Sequence, residues 1–282
     1  MTQERDLEQL IEKHNAIPKG YKSDIKIYKK WCKDNDIPET VGTIISFLKY
    51  SLEVAGVKKT TWERRLMSLK NYFNTEWKLN PMSSENFRIA IETLKKEYSS
   101  DEFLHLMKIQ GVKGVDKIQL LSEIETLTTR EKAIALVNLV TANRPSEMVR
   151  MKIEDFDLQN RSVEVYLKKQ KVWHTKRITD GCALAVEEYI KEYRLKPTDH
   201  FVGRIYKGGR YENKEISDLA YRNFIKRKFD FTPYTFRKTQ INHMHENGAD
   251  LSTISKQTGI RCGQTIHAHY LTVSNATVDK FI

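Results

Sequence analysis

No run of this chain is apolar enough, for long enough, to cross a bilayer. It also has no lipidation signal and no apolar stretch behind a basic start, so an anchored or exported protein is disfavoured and a cytoplasmic one expected. Cysteine is sparse. Cys32, Cys182 and Cys262 are odd in number and share no CxxC spacing, which excludes a disulfide framework and fits a reducing compartment. His267 and His269 with Cys262 do not make paired ligand sets at finger spacing, so no structural zinc is expected. No acidic triad stands in a strand-rich setting where it could hold two magnesium ions. Low-complexity tracts and internal repeats are absent as well.

What is present is positive charge. Lysine and arginine number 48 against 37 aspartates and glutamates, a formal net charge of +11. Because acids nearly balance the bases, the excess must lie in patches and not in a basic tail, and such patches suit a polyanion. At 282 residues the chain has room for two modest domains, each burying its own core.

Periodicity divides it. After an extension over 1–20, residues 21–97 read as a small helical domain, with Ile27, Tyr28, Trp31 and Cys32 on one helix and Ile44–Tyr50 on another. Past Gly56, Trp62, Leu66, Leu69, Phe73 and Trp77 form an apolar stripe. Lys58, Lys59, Arg64, Arg65 and Lys70 make a basic face beside it that could meet a phosphate backbone. A helix from Phe87 to Leu94 closes the unit. Residues 98–117, with two glycines and no sustained period, read as a linker, and 118–282 as a second domain.

In that domain Thr128 and Glu131 have capping-box spacing ahead of Ala133–Val140, a run apolar nearly all round that should be a buried central helix. Pro145 favours a first helical position, which puts Arg144 at the N-cap and Glu147 at the box distance, a structural place for that carboxylate. Asp157–Asn160 reads as a turn, and alternation in Ser162–Leu167 and again around His174–Ile178 gives a β-hairpin with lysines crowding its tip. Helices are expected at about 180–193 and 217–229, then from Arg237 to Gly248 and from Asp250 to Gly259. The fold class is thus mainly α with a small β-hairpin or sheet, in two domains.

Two arginines and a tyrosine, Arg144, Arg237 and Tyr270, point to chemistry on phosphodiesters. A guanidinium's planar fork meets phosphate oxygens two at a time, and a phenol can carry a phosphoryl group covalently between two reactions.

Taken in order, Arg144 with Glu147, the hairpin lysines, Tyr234-Thr-Phe-Arg237 and Tyr270 resemble the tyrosine recombinases of the phage-integrase superfamily. The resemblance covers most of the chain and implies a helical core-binding domain at 21–97, an α+β catalytic domain at 118–282, and a DNA duplex clamped between them. It implies that Tyr270 attacks phosphorus to give a 3′-phosphotyrosyl link without metal, ATP or other cofactor, and that Arg144 and Arg237 neutralise the transition state. A hairpin lysine would protonate the leaving 5′-oxygen, Lys169 by the strand alternation and Lys171 as its close competitor.

Two positions depart from the family pattern. Tyr234 stands where a histidine is usual, with Lys238 where a second histidine often follows the arginine; a phenol keeps a hydrogen-bond donor but loses imidazole's proton transfer. Ile260 follows Gly259 where a histidine or tryptophan is usual, and His267 is the candidate replacement donor.

Element integration and excision is the first reading of the biology, with the gene carried by the host cell, a virus or a mobile element. An Xer-like resolvase of dimers, a type IB topoisomerase-like enzyme and a non-catalytic DNA-binding remnant are the alternatives. No arm-binding domain is expected ahead of the helical one. The assembly implied is a homotetramer on double-stranded DNA, formed from monomers in solution, with the apolar tail residues Val273, Val278, Phe281 and Ile282 linking protomers.

Overall fold

A computed structural model describes residues 16–107, 112–206, 208, 210–271 and 278–279. The chain divides into two compact units, Met1–Gln110 and Gly111–Ile282.

The first unit is helical: α1 (Lys22–Asp34), α2 (Val41–Glu53), α3 (Lys59–Glu76), α4 (Glu85–Glu97) and the single turn α5 (Leu104–Met107). Thr40 starts α2 through a reciprocal box with Thr43, and Ser84 caps α4 by accepting from the Phe87 amide. The α3 stripe is buried at Trp62, Leu66, Leu69 and Phe73, but Trp77 stays 48% exposed. It lies past the end of α3 and only stacks on Phe73, at 5.9 Å. On α1 the inward face is Tyr28 and Cys32, whereas Ile27, one position round the helix, is exposed.

The expected linker is mostly absorbed into the two units. Tyr98 is buried edge-on against Trp62 and donates to the Val57 carbonyl at 2.9 Å, and Leu106 joins the same core. On the other side the Val115 amide donates to Thr239 Oγ1 at 3.0 Å within the second unit.

The second unit opens with α6 (Lys117–Glu125) and α7 (Thr129–Thr141). Ten of the thirteen residues of α7 are buried, because its apolar side chains run round the whole circumference. Its capping box is not closed: the Thr128 side chain caps nothing, and Glu131 pairs with Lys228 at 2.6 Å. The short α8 (Pro145–Met148) follows, then an antiparallel sheet of β1 (Phe156–Asp157), β2 (Ser162–Leu167) and β3 (Val172–Arg177) in that spatial order. Val163, Val165 and Leu167 face inward, and the register pairs Leu167 with Val172 across a four-residue tip, 168–171.

Next come α9 (Asp180–Tyr193), a small hairpin of β4 (Arg204–Ile205) and β5 (Tyr211–Glu212) that the sequence did not announce, and α10 (Asp218–Phe229). The helix expected to begin after Arg237 begins earlier. In α11 (Pro233–Glu246) the proline takes the first position, so Arg237 sits one turn inside the helix. The chain then forms α12 (Leu251–Thr258), ended by Gly259, and α13 (Gly263–His269). Gly259 has φ +69°, and a Cβ there would lie 2.6 Å from Leu167 Cδ1, so only glycine allows α12 to turn this close under the hairpin. Val273, Phe281 and Ile282 of the expected linking tail fall outside the described residues, and Val278 is exposed.

Candidate active site

Four segments of the second unit meet around Arg237. Its side chain is fully buried: Nη1 donates to the Ala142 carbonyl, Nη2 to the Thr258 carbonyl at 3.5 Å, and Nε has no partner among the described residues. Burial, and then the neighbouring Arg144 charge, push its pKa down, while Tyr270 and Glu147 oppose that shift. A buried guanidinium whose Nε–H is unpartnered among the described residues is a preorganised site for an anionic oxygen.

Arg144 is the N-cap of α8, as Pro145 predicts. Its amide donates to Glu147 Oε2 at 2.9 Å and its Nη1 to Oε1 at 2.7 Å, so Glu147 fixes both the backbone and the side chain of the arginine. Ala142, in the left-handed conformation at φ 51°, turns the chain out of α7 and presents Arg144 beside Arg237.

Tyr270 follows α13, with its amide bonded to the Ile266 carbonyl at 3.0 Å. The Arg237 guanidinium carbon is 5.3 Å from the centre of its ring. The phenol is only part-buried, since its ring leans on a small core of Ile241, Ile254, Ile260 and Ile266. Ile260 is thus a packing residue, 4% exposed, where the resemblance would place a histidine or tryptophan.

Tyr234 lies one helical turn before Arg237, half-buried, with the Arg222 guanidinium carbon 5.8 Å from its ring centre. Lys238, next along α11, is half-buried too and lines a cleft with Thr239, Asn242 and Lys117. Lys169 and Lys171 are exposed at the hairpin tip, Lys171 with φ 57°. The tip is anchored, because Gln170 Nε2 donates to the Gly259 carbonyl at 2.6 Å and His174 Nε2 is 2.6 Å from the Lys256 carbonyl. His267 is exposed on α13.

Sequence reasoning missed Lys176. It is wholly buried on β3, and its Nζ donates to Asn143 Oδ1 at 2.6 Å and to the carbonyls of Thr141 at 3.1 Å and Thr258 at 3.3 Å, with Glu147 Oε2 at 3.8 Å. Burial drives its pKa down to about 7, against the Glu147 charge and helped by those of Arg237 and Arg144. The signal was available: Lys176 pairs with the inward-facing Val163, and directly opposed residues share a face of the sheet.

In the first unit the basic face is narrower than expected. Arg64 grips the buried Asp24 with two bonds of 2.8 and 2.9 Å, although its side chain remains 53% exposed. Arg65 turns inward, donating to Ser51 Oγ at 2.8 Å with its guanidinium carbon 5.4 Å from the Phe47 ring centre. Lys58 stays exposed, and Lys59 and Lys70 are half-exposed. Among the described residues no cluster of three or more metal-binding side chains occurs, and no helix is long and apolar enough to cross a membrane.

Comparison with known proteins shows the family and the fold. Residues 114–276 match the phage integrase family. The chain is 26% identical over 262 residues to the tyrosine recombinase XerD of Oceanobacillus iheyensis, covering 85% of this chain and 82% of that protein. It is 24% identical over 232 residues to the tyrosine recombinase XerC of Staphylococcus epidermidis, covering 79% and 74%. Its fold superposes on the Tn1549 transposon integrase in complex with transposon right end DNA at a TM-score of 0.64 and 14% identity, over 96% of this chain and 95% of that one. A lambda integrase dimer bound to a core site gives 0.56 at 11% identity, over 96% and 95%. The chain belongs to the phage integrase family of tyrosine recombinases, enzymes that cut and rejoin DNA at specific sites. DNA is therefore its partner.

Proposed function

We propose that Tyr270 is the nucleophile, that Arg144 and Arg237 stabilise the transition state, and that the enzyme integrates and excises a DNA element. The observation that carries the roles is the placing of Tyr270 against Arg237, 5.3 Å from guanidinium carbon to ring centre, with Arg144 close enough to depress the Arg237 pKa. The Tyr270 oxygen attacks phosphorus and the bond from phosphorus to the 5′-oxygen breaks. The 5′-oxygen takes a proton and the 3′-phosphate stays on the phenol. A 5′-hydroxyl from a second strand reverses the step. Arg237 Nε, which has no partner among the described residues, and the Arg144 guanidinium meet the non-bridging oxygens as charge builds on them.

Lys169 is the proton donor to the leaving oxygen, with Lys171 as alternate, and Tyr234 gives a hydrogen bond to a phosphate oxygen. Lys58, Lys59, Lys70 and Lys238 contact backbone phosphates, with Arg64 offering its exposed edge; Arg65 serves packing instead. His267 lies on the tyrosine-bearing segment as a secondary donor. Four copies act together on two duplexes, and the carboxyl-terminal tail joins them.

The test is a nicked suicide substrate carrying inverted-repeat core DNA taken from beside the gene, with EDTA present. A covalent adduct should form and should vanish in Tyr270→Phe. An adduct in that variant, or a reaction that needs magnesium, would refute the mechanism.

A further inference from the structure

The end of α7 and its connection to α8, residues 141–144, deliver Arg144 to the site, yet the connection is short and irregular, and its oxygens need partners inside the protein. The Ala142 carbonyl takes Arg237, the Asn143 carbonyl takes Asn138 Nδ2 at 2.9 Å, and the Thr141 carbonyl and Asn143 Oδ1 both take Lys176 Nζ. The third proton of the same ammonium goes to the Thr258 carbonyl, at the end of α12, where the chain turns toward Tyr270. One group thus bridges the segment that carries an arginine and the segment that leads to the tyrosine. An ammonium has three donors and no acceptor, and three oxygens meet it here.

We propose that Lys176 is a positioning residue for cleavage: its ammonium locks the Arg144 connection to the Thr258–Gly259 turn, and so sets the separation of the two arginines and the tyrosine. The inference rests on the reading of Arg144, Arg237 and Tyr270 as the reacting groups. Lys176 itself is assigned no substrate contact, because its three ammonium donors go to protein oxygens. The charged groups around it are Glu147 and Arg144 from α8 and Arg237 from α11, with Tyr270 beyond Arg237; the α7 and α12 ends that it bonds contribute carbonyls. Three cations therefore crowd one carboxylate. The ammonium is kept there at a cost in desolvation, and its three oxygen partners are what it offers in return.

The experiment compares wild type with Lys176→Met, which fills the same space without charge or donors, on the suicide substrate. Cleavage by Lys176→Met should fall about a hundredfold, the cost of moving reacting groups by about 1 Å. DNA affinity, set by phosphate contacts elsewhere, should move by less than about threefold. The ratio of wild-type to variant rate should be greatest at about pH 6 and shrink toward about pH 9, because the amine loses its proton around 7. A role in packing alone would give a ratio that does not vary with pH, and that result, or wild-type cleavage by the variant, would overturn the proposal. Should Lys176→Met fail to fold, Asn143→Leu removes the shortest of the three bonds and must slow cleavage in the same direction; wild-type rates there would overturn it equally. Tyr270→Phe run alongside separates the two readings: adduct in that variant sinks the mechanism, whereas its absence together with a fully active Lys176→Met sinks only the part given to Lys176.

Discussion

Replacing Arg237 tests whether activity and stability part company in this site. The side chain is wholly buried, holds the Ala142 and Thr258 carbonyls, and shares its surroundings with two more cations, Arg144 and Lys176. Arg237→Met removes the charge and keeps most of the volume. The Thr258 carbonyl still has Lys176, so a single carbonyl, that of Ala142, loses its partner, which costs about 1–3 kcal/mol. Against this stands relief from desolvating a cation and from repulsion among like charges. Exchange of buried ions for well-packed apolar groups is often neutral or favourable by about 1–4 kcal/mol. The two terms are of equal size, so Arg237→Met should stay within about 1 kcal/mol of wild type. Arg237→Ala adds a cavity, and large-to-small changes in a core cost about 2–5 kcal/mol. Both variants lose a preorganised donor to the transition state and should cleave at least about a hundredfold more slowly. Urea unfolding and single-turnover cleavage on the same preparations give the two readouts. If Arg237→Met cleaves within about tenfold of wild type, the charge is not what drives cleavage; if it is as unstable as Arg237→Ala, the hydrogen bonds of Arg237 hold the fold and the balance above is wrong.

A substrate whose 5′-oxygen is replaced by sulfur separates the tip lysines, since a thiolate leaves without a proton. Lys169→Ala should be slow on ordinary DNA and near normal on the sulfur substrate, and rescue of Lys171→Ala instead would transfer the role to Lys171. In the first unit, burial raises the Asp24 pKa, but the bonds from Arg64 and Ser68 outweigh it and hold the carboxyl below its ordinary 3.8. A depressed carboxyl stabilises the fold in full above its unfolded value and loses that stabilisation as the pH falls through its folded one. Asp24→Asn should therefore cost about 1–3 kcal/mol at neutral pH, discounted toward the lower end because Arg64 is half-exposed, with the gap to wild type closing in acid. A gap that is the same at pH 7 and in acid would show that the carboxylate charge contributes nothing.

The sequence alone determined which elements form and what chemistry their side chains can do. An apolar run all round its circumference made α7 a buried helix, Pro145 put Arg144 at an N-cap, and alternation in Ser162–Leu167 built the hairpin, because these signals are local and depend on neighbours within a few residues. The residue types at 144, 237 and 270, in that order, were enough to point to phosphoryl transfer through tyrosine. Tertiary structure alone decided which charges are spent within the protein. Arg65 looked like a DNA contact and is turned onto Ser51 and Phe47; Lys176, which nothing local singled out, is the ammonium between Thr141, Asn143 and Thr258. A charged residue's partners can lie far along the chain, as Asn143 and Thr258 do at 33 and 82 positions from Lys176. Local periodicity carries no record of such distances; burial and hydrogen-bond satisfaction, which exist only once the segments have packed, decide them.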